Sequence, residues 1–162
     1  MCNGNATRSV LAGRLVAAAC PALRVVTAGT IVLEGLPMSF RTRDALISVG
    51  LDHHGHSPTQ LRADHVAAAD VIVGLETDNV RYVRRRLPTG AAKAVTLKRL
   101  ARDLPAGPEP LRDRVAALNP AAAHLEPWED VDDPGGQAAE AYLSCAQEIK
   151  ALVDTLVPRL IS

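Results

Sequence analysis

The chain has 162 residues, enough for a single domain over 1–162, and its 48% hydrophobic but only 2% aromatic content calls for an aliphatic core. Its 18 Lys and Arg balance 18 Asp and Glu, which leaves no general electrostatic footprint for nucleic acid or an acidic membrane surface. No stretch approaches the ~20 apolar residues of a membrane span, and the three scattered cysteines form neither a disulfide framework nor a metal-binding pair, as suits a reducing, cytoplasmic setting.

The run from Ser9 through Val10, Leu11, Leu15 and Val16 predicts a helix ending near Ala19, before Pro21. Leu23–Thr27 reads as a short buried strand that stops at the turn Ala28-Gly29-Thr30. Met38–Val49 reads as a helix closed by Gly50. Ser57 before Pro58 signals another helix, running to about Ala68. Asp70–Leu75 is a continuous apolar strand. Thr77 or Asp78 can cap the next helix, which reaches about Leu87 and carries Arg84-Arg85-Arg86 as a solvated face. Ala94–Leu97 is a fourth short strand, and Asp103–Pro110 a proline-rich loop. A long amphipathic helix runs from Gln137 to about Val157, with Cys145, Ile149, Leu152 and Leu156 on its apolar stripe. Strand and helix alternate throughout, so the expected fold is α/β: a three-layer sandwich with a four-stranded parallel sheet flanked by helices. Such sheets bind ligands at the carboxyl ends of their strands.

One stretch carries chemistry: Cys2-Asn3-Gly4-Asn5-Ala6-Thr7-Arg8-Ser9. Gly4 accepts backbone angles that other residues resist, and Asn5 tolerates left-handed geometry. Successive N–H groups of such a loop point inward as an anion nest at the positive end of a helix. Arg8 offers a planar fork that matches two oxygens of a tetrahedral oxyanion. In that field the thiolate of Cys2 is the favoured, nucleophilic form, and Ser9 can donate to the sulfur. Cys20 and Cys145 fall on helical apolar faces and read as packing residues, as do Trp128 and Tyr142. His53, His54 and His56 form a cluster without a carboxylate or cysteine pairing at ligand spacing.

The loop resembles the phosphate-binding loop of low-molecular-weight protein tyrosine phosphatases, and the similarity continues in order along the chain. Val25–Thr30 is similar to the family's strand and Ser-Ala-Gly-Thr turn, with Thr27 in the serine's place. The segments "GLDHHGHSPTQL", "ADVIVGLETDN" and "VDDPGG" resemble later landmarks. The resemblance implies that Cys2 is the nucleophile that becomes phosphocysteine, that Arg8 binds the phosphoryl oxygens, and that Asp133, before Pro134, is general acid and then general base. It implies substrate binding by Asn3, Gly4, Asn5, Ala6, Thr7 and Arg8, and a bracing network of Asn5, Ser9, Thr27 and His56. No metal and no cofactor are implied, because Arg8 and the amides supply the positive charge. The implied partner is a phosphorylated protein or small phosphomonoester, phosphotyrosine foremost, with no nucleic acid or membrane and a monomeric or weakly dimeric state.

Four departures accompany the resemblance. The family carries an apolar strand before its cysteine, where this chain has only Met1; a start assigned too far downstream is the expected reason, and the same position leaves no room for a signal peptide. Gly135 and Gly136 stand where phosphotyrosine-directed members tend to have an aromatic residue. Ala6 is small where some bacterial phosphoarginine phosphatases have threonine, and Thr7 replaces a second cysteine that could trap an oxidised nucleophile. Alternatives are a thiol-dependent arsenate reductase-like enzyme, a non-catalytic oxyanion-binding relative, and an N-terminal-nucleophile enzyme using Cys2 after removal of Met1.

Overall fold

The computed structural model describes residues 1–161. Its sheet is built on two parallel strands, β1 (Ile72–Gly74) and β2 (Ala94–Thr96), paired Ile72 to Ala94 and Gly74 to Thr96. Successive side chains of a strand face opposite ways. Ile72 and Ala94 accordingly enter one buried cluster with Leu61, Val66, Val80 and Val83. Val95 and Leu75 enter another, with Leu11, Leu46, Leu100, Ile149 and Leu156.

Helices cover both faces. On one side α1 (Arg8–Ala19), α2 (Phe40–Ser48) and α5 (Leu97–Asp103) pack against the long α7 (Ala139–Leu160). On the other, α3 (Ala63–Ala68) and α4 (Thr77–Arg86) supply Val66, Val80 and Val83. A short helix, α6 (Leu111–Ala116), adds Val115 to the α7 side. The result is a parallel sheet flanked by helices.

The sheet departs from the four-strand expectation. Beyond β1 and β2, pairing among the described residues continues only through isolated parallel bridges from Cys2 to Gly29 and from Gly29 to Gln60. Leu75 N–H also donates to the Met1 carbonyl at 2.9 Å. Leu23–Thr27 has no strand partner among the described residues, so it forms no strand, and Val26 is 56% exposed. Thr27 instead leans on α1, where its methyl group takes the space a Cβ on Gly13 would need.

Residues 57–62 are extended rather than helical, because Gly29 claims their backbone: its N–H donates to Thr59 O at 2.8 Å and its O accepts from Leu61 N at 2.7 Å. These tertiary bonds override the cap-and-proline signal at Ser57 and Pro58. Leu97 begins α5 instead of ending a strand, with the Thr96 hydroxyl accepting from Arg99 N as its cap. Arg84 is not wholly solvated, since its guanidinium donates to the carbonyls of Pro120 and Ala123.

Ile149 is fully buried where α7 meets the sheet. Ile149→Ala is expected to lower unfolding free energy by roughly 2–5 kcal/mol, read from urea titration, because the site cannot collapse around the lost side chain.

Candidate active site

The carboxyl ends of the parallel segments meet at Cys2, Gly29, Leu75 and Thr96, and the Cys2–Thr7 loop turns there into α1. Asn5 holds a left-handed φ of 49°, which lets the loop curl over its own backbone. Among the described residues, no backbone N–H from Asn3 to Arg8 donates to another protein group. That is the donor arrangement of an anion nest at a helix N-terminus. Gly29 makes room for it: a Cβ there would lie 2.4 Å from Asn3 O and 2.9 Å from Asn5 N, so no other residue fits.

The loop is braced from several elements. Asn5 Nδ2 donates to Ser9 Oγ at 2.9 Å, and its Oδ1 accepts from Thr59 N at 2.9 Å. Ser9 Oγ lies 3.1 Å from Cys2 Sγ, within hydrogen-bonding reach of sulfur. His56 Nε2 sits 2.6 Å from Asn5 O. Thr7 Oγ1 contacts Thr42 Oγ1 at 2.8 Å, which ties the loop to the start of α2. Asn3 Oδ1 accepts from Thr30 Oγ1 at 3.2 Å and from Asn79 Nδ2 at 2.9 Å. Thr27 is not part of this network; Thr30, three residues on, bonds to the loop instead. Ala6 is exposed at the loop's rim.

Arg8 is the hub. Its side chain is 2% exposed, yet it carries a full charge among three partners. Nη1 donates to Glu76 Oε2 at 3.0 Å and to Val131 O at 2.8 Å; Nη2 donates to Asp133 Oδ2 at 2.9 Å and Glu76 Oε1 at 3.3 Å. Burial works against the cation, but the hydrogen bond to Glu76 and the charges of Glu76, Asp133 and Cys2 outweigh it and hold Arg8 above the ordinary arginine value. Asp133 is 54% exposed, and its Oδ1 accepts from Gly135 N at 3.0 Å, the bond that shapes the Asp-Pro-Gly turn.

The structure thus brings Cys2, Asn5, Arg8, Ser9, His56 and Asp133 into one place and leaves Thr27 outside. Two members were not assigned from sequence. Glu76 pairs with Arg8, and fully buried Asn79 braces both Asn3 and the Leu75–Glu76 backbone. Their only signal was the acidic residue and Asn of "GLETDN", one and four positions past the last apolar residue of the strand, Leu75, and readable there as helix caps.

Cys145 also approaches the site. A cavity of about 370 Å³ opens beside Asp133, lined by Asp132, Gln137, Ser144, Cys145 and Glu148. Burial pushes the Cys145 thiol up to about 12, so it stays protonated at neutral pH.

The fold is α/β, and the Arg8–Asp133 pair stands beside the loop that carries Cys2. The profile of the low molecular weight phosphotyrosine protein phosphatases matches residues 1–112, and the chain belongs to that family. It is 24% identical over 161 residues to a protein-arginine-phosphatase of Geobacillus stearothermophilus, covering 99% of this chain and 93% of that protein. It is 27% identical over 160 residues to the probable low molecular weight protein-tyrosine-phosphatase EpsP of Ralstonia solanacearum, covering 99% and 92%. Among solved structures it resembles the low molecular weight protein tyrosine phosphatase of T. tengcongensis, with a TM-score of 0.75, 27% identity, and coverage of 96% and 93%.

Two predictions follow from the site's electrostatics. Glu76→Ala leaves Arg8 without its main counter-charge and is expected to cost roughly 3–5 kcal/mol in unfolding free energy, measured by denaturant titration. Cys145 takes up its proton more tightly folded, at about 12, than at its ordinary value of 9.0. The folded state therefore binds more protons in that window, and stability falls as pH rises from 9.0 toward about 12. Thermal melts across this range should show a steeper loss for the parent chain than for Cys145→Ala.

Proposed function

We propose that the protein is a cysteine-dependent phosphatase that hydrolyses phosphomonoesters on proteins, phosphotyrosine foremost, through a phosphocysteine intermediate. The observation that carries the reading is the contact between Arg8 and Asp133, two residues 125 positions apart, beside the loop that holds Cys2. A phosphoryl dianion entering the nest competes with Asp133 for the Arg8 fork. Its equatorial oxygens take up the free N–H groups and the guanidinium. Cys2 Sγ attacks phosphorus in line, the P–O bond to the leaving group breaks, and protonated Asp133 gives its proton to that oxygen. Ser9 donates to the sulfur and stabilises it as the leaving group of the second half-reaction. Water then attacks phosphocysteine, the Asp133 carboxylate takes the water's proton, and phosphate departs. The positive charge comes from Arg8 and the amides, so the route calls on no metal.

A second reading of the substrate, phosphoarginine, has a specific basis. Gly135 and Gly136 are both exposed beside Asp133 and offer no ring to stack on a phenyl group. The turn after Thr30 is likewise aliphatic and open, with Ile31 75% and Leu33 69% exposed. The relative from Geobacillus stearothermophilus is named an arginine phosphatase. An arsenate reductase-like cycle has less support: Cys20 and Cys145 are both buried, and no cysteine lies between residues 70 and 85. No helix among the described residues is long and apolar enough to cross a membrane. We assign the enzyme to the cytoplasm, as a monomer or weak homodimer.

The test is steady-state hydrolysis of p-nitrophenyl phosphate, a phosphotyrosyl peptide and a phosphoarginyl peptide. Cys2→Ser and Arg8→Ala should each abolish turnover. Asp133→Asn should slow aryl phosphates with poor leaving groups by about 10²–10⁴-fold and good ones less. Full activity of Cys2→Ser would refute the covalent route, and the ratio of kcat/KM for the two peptides decides the substrate.

A further inference from the structure

Among the described residues, metal-ligating side chains gather at Asp52, His53 and His54, in the segment between α2 and α3. Sequence order alone does not recommend it, because neighbouring residues of an extended chain point to opposite sides. Here one ligand atom from each residue nevertheless lies within 4.8 Å of the others. The two imidazole rings stand 4.0 Å apart at 47°, and His54 Nε2 is 3.8 Å from Asp52 Oδ1. The carboxylate that the histidine cluster lacked in sequence spacing is thus supplied by the adjoining residue.

The loop beneath this group is held at several points. Arg14 of α1 donates one guanidinium nitrogen to the Asp52 carbonyl and another to the His54 carbonyl. His54 N–H donates to Asp52 Oδ1 at 3.0 Å, which fixes the carboxylate against its neighbour. Gly55 takes a φ of +72°, and the next residue, His56, anchors to Asn5 O at 2.6 Å. The backbone carrying the three ligands is therefore fastened on both sides, while Asp52 and His54 remain exposed and His53 half-buried. A pre-positioned backbone reduces the ordering cost of binding.

We infer that Asp52, His53 and His54 form a binding site for a divalent borderline metal ion of the Zn2+ type, separate from the phosphate loop. Two neutral imidazoles and one carboxylate are a donor set such ions accept, with water completing the shell. Tetrahedral bonds of ~2.1 Å set donors roughly 3.4 Å apart. Binding therefore requires the exposed side chains of Asp52 and His54 to turn in from the present span of 4.8 Å toward the half-buried His53. The Arg14 guanidinium opposes the cation, but it is spent on two carbonyls and points at the backbone rather than at the ligand atoms.

The experiment is calorimetric titration of the whole untagged chain with Zn2+. Cys2→Ser is the parent, so that the loop thiol does not compete for the metal. One site is expected near neutral pH. His53→Ala and His54→Ala should each weaken it at least tenfold, and the double variant should remove it, with circular dichroism unchanged because the residues are at the surface. In histidine proton spectra, Zn2+ should shift the rings of His53 and His54 and leave those of His65 and His124 in place. A parent that binds no Zn2+, or a double variant that binds it as the parent does, overturns the proposal. Neither result bears on phosphatase activity, which the peptide assays decide separately.

Discussion

A single buried guanidinium holds the site together. Arg8 starts α1, and its three partners come from the turn after β1 and from a segment more than 120 residues later. The chain thus closes on itself around one charge. A cation this deeply buried is tolerable only when its partners are fully engaged, since the loss of solvation must be offset by hydrogen bonds and opposite charge. Glu76 supplies most of that compensation and Val131 O an aligned dipole. Asp133, half exposed, is the most solvent-accessible of the three.

The layers of the fold serve this arrangement. β1 and β2 set the level at which Leu75 and Thr96 end, and helices on both faces exclude water from the sheet. Leu75 is a junction: its N–H donates to Met1 O and its carbonyl accepts from Val131 N at 2.8 Å. Those bonds bring the chain start that leads into the Cys2–Thr7 loop, the Glu76 turn and the segment leading to Asp133 into contact. A second buried ion pair, Arg99 with Glu129, repeats the device below, where Glu129 also accepts from the Thr96 hydroxyl and closes the 120s segment onto β2. There, hydrogen bonds from Arg99 and Thr96 overcome the cost of burial and hold the Glu129 carboxyl below its usual range. The Arg99 pair is closed off by Thr96, whereas the Arg8 pair extends to the half-exposed Asp133.

Legibility in the sequence followed the range of the interactions. The loop from Cys2 to Ser9 was readable because its requirements are local: a glycine, an asparagine able to sit at positive φ, and an arginine on the first helical turn. The long amphipathic α7 and the apolar strand near Ile72 were readable for the same reason, as patterns of 3.6 and of continuous burial. The Ser57-Pro58 helix signal failed because Gly29 and Asn5 reach across the fold and bind the backbone of residues 59–61. The strand expected at Leu23–Thr27 failed because its backbone finds no neighbour to pair with among the described residues.

By itself, the order of residues determined the family, the alternation of strand and helix, and the anion loop, since each rests on contacts within a few positions or on a period the chain repeats. Only the folded chain decided which carboxylate balances Arg8, that Thr30 rather than Thr27 bonds to the loop, and that Asp52 joins two histidines in one cluster. The first two choices depend on distances between elements far apart in sequence, which come into being only when the two apolar cores close on the sheet; the third depends on how a short connection between α2 and α3 is held against α1.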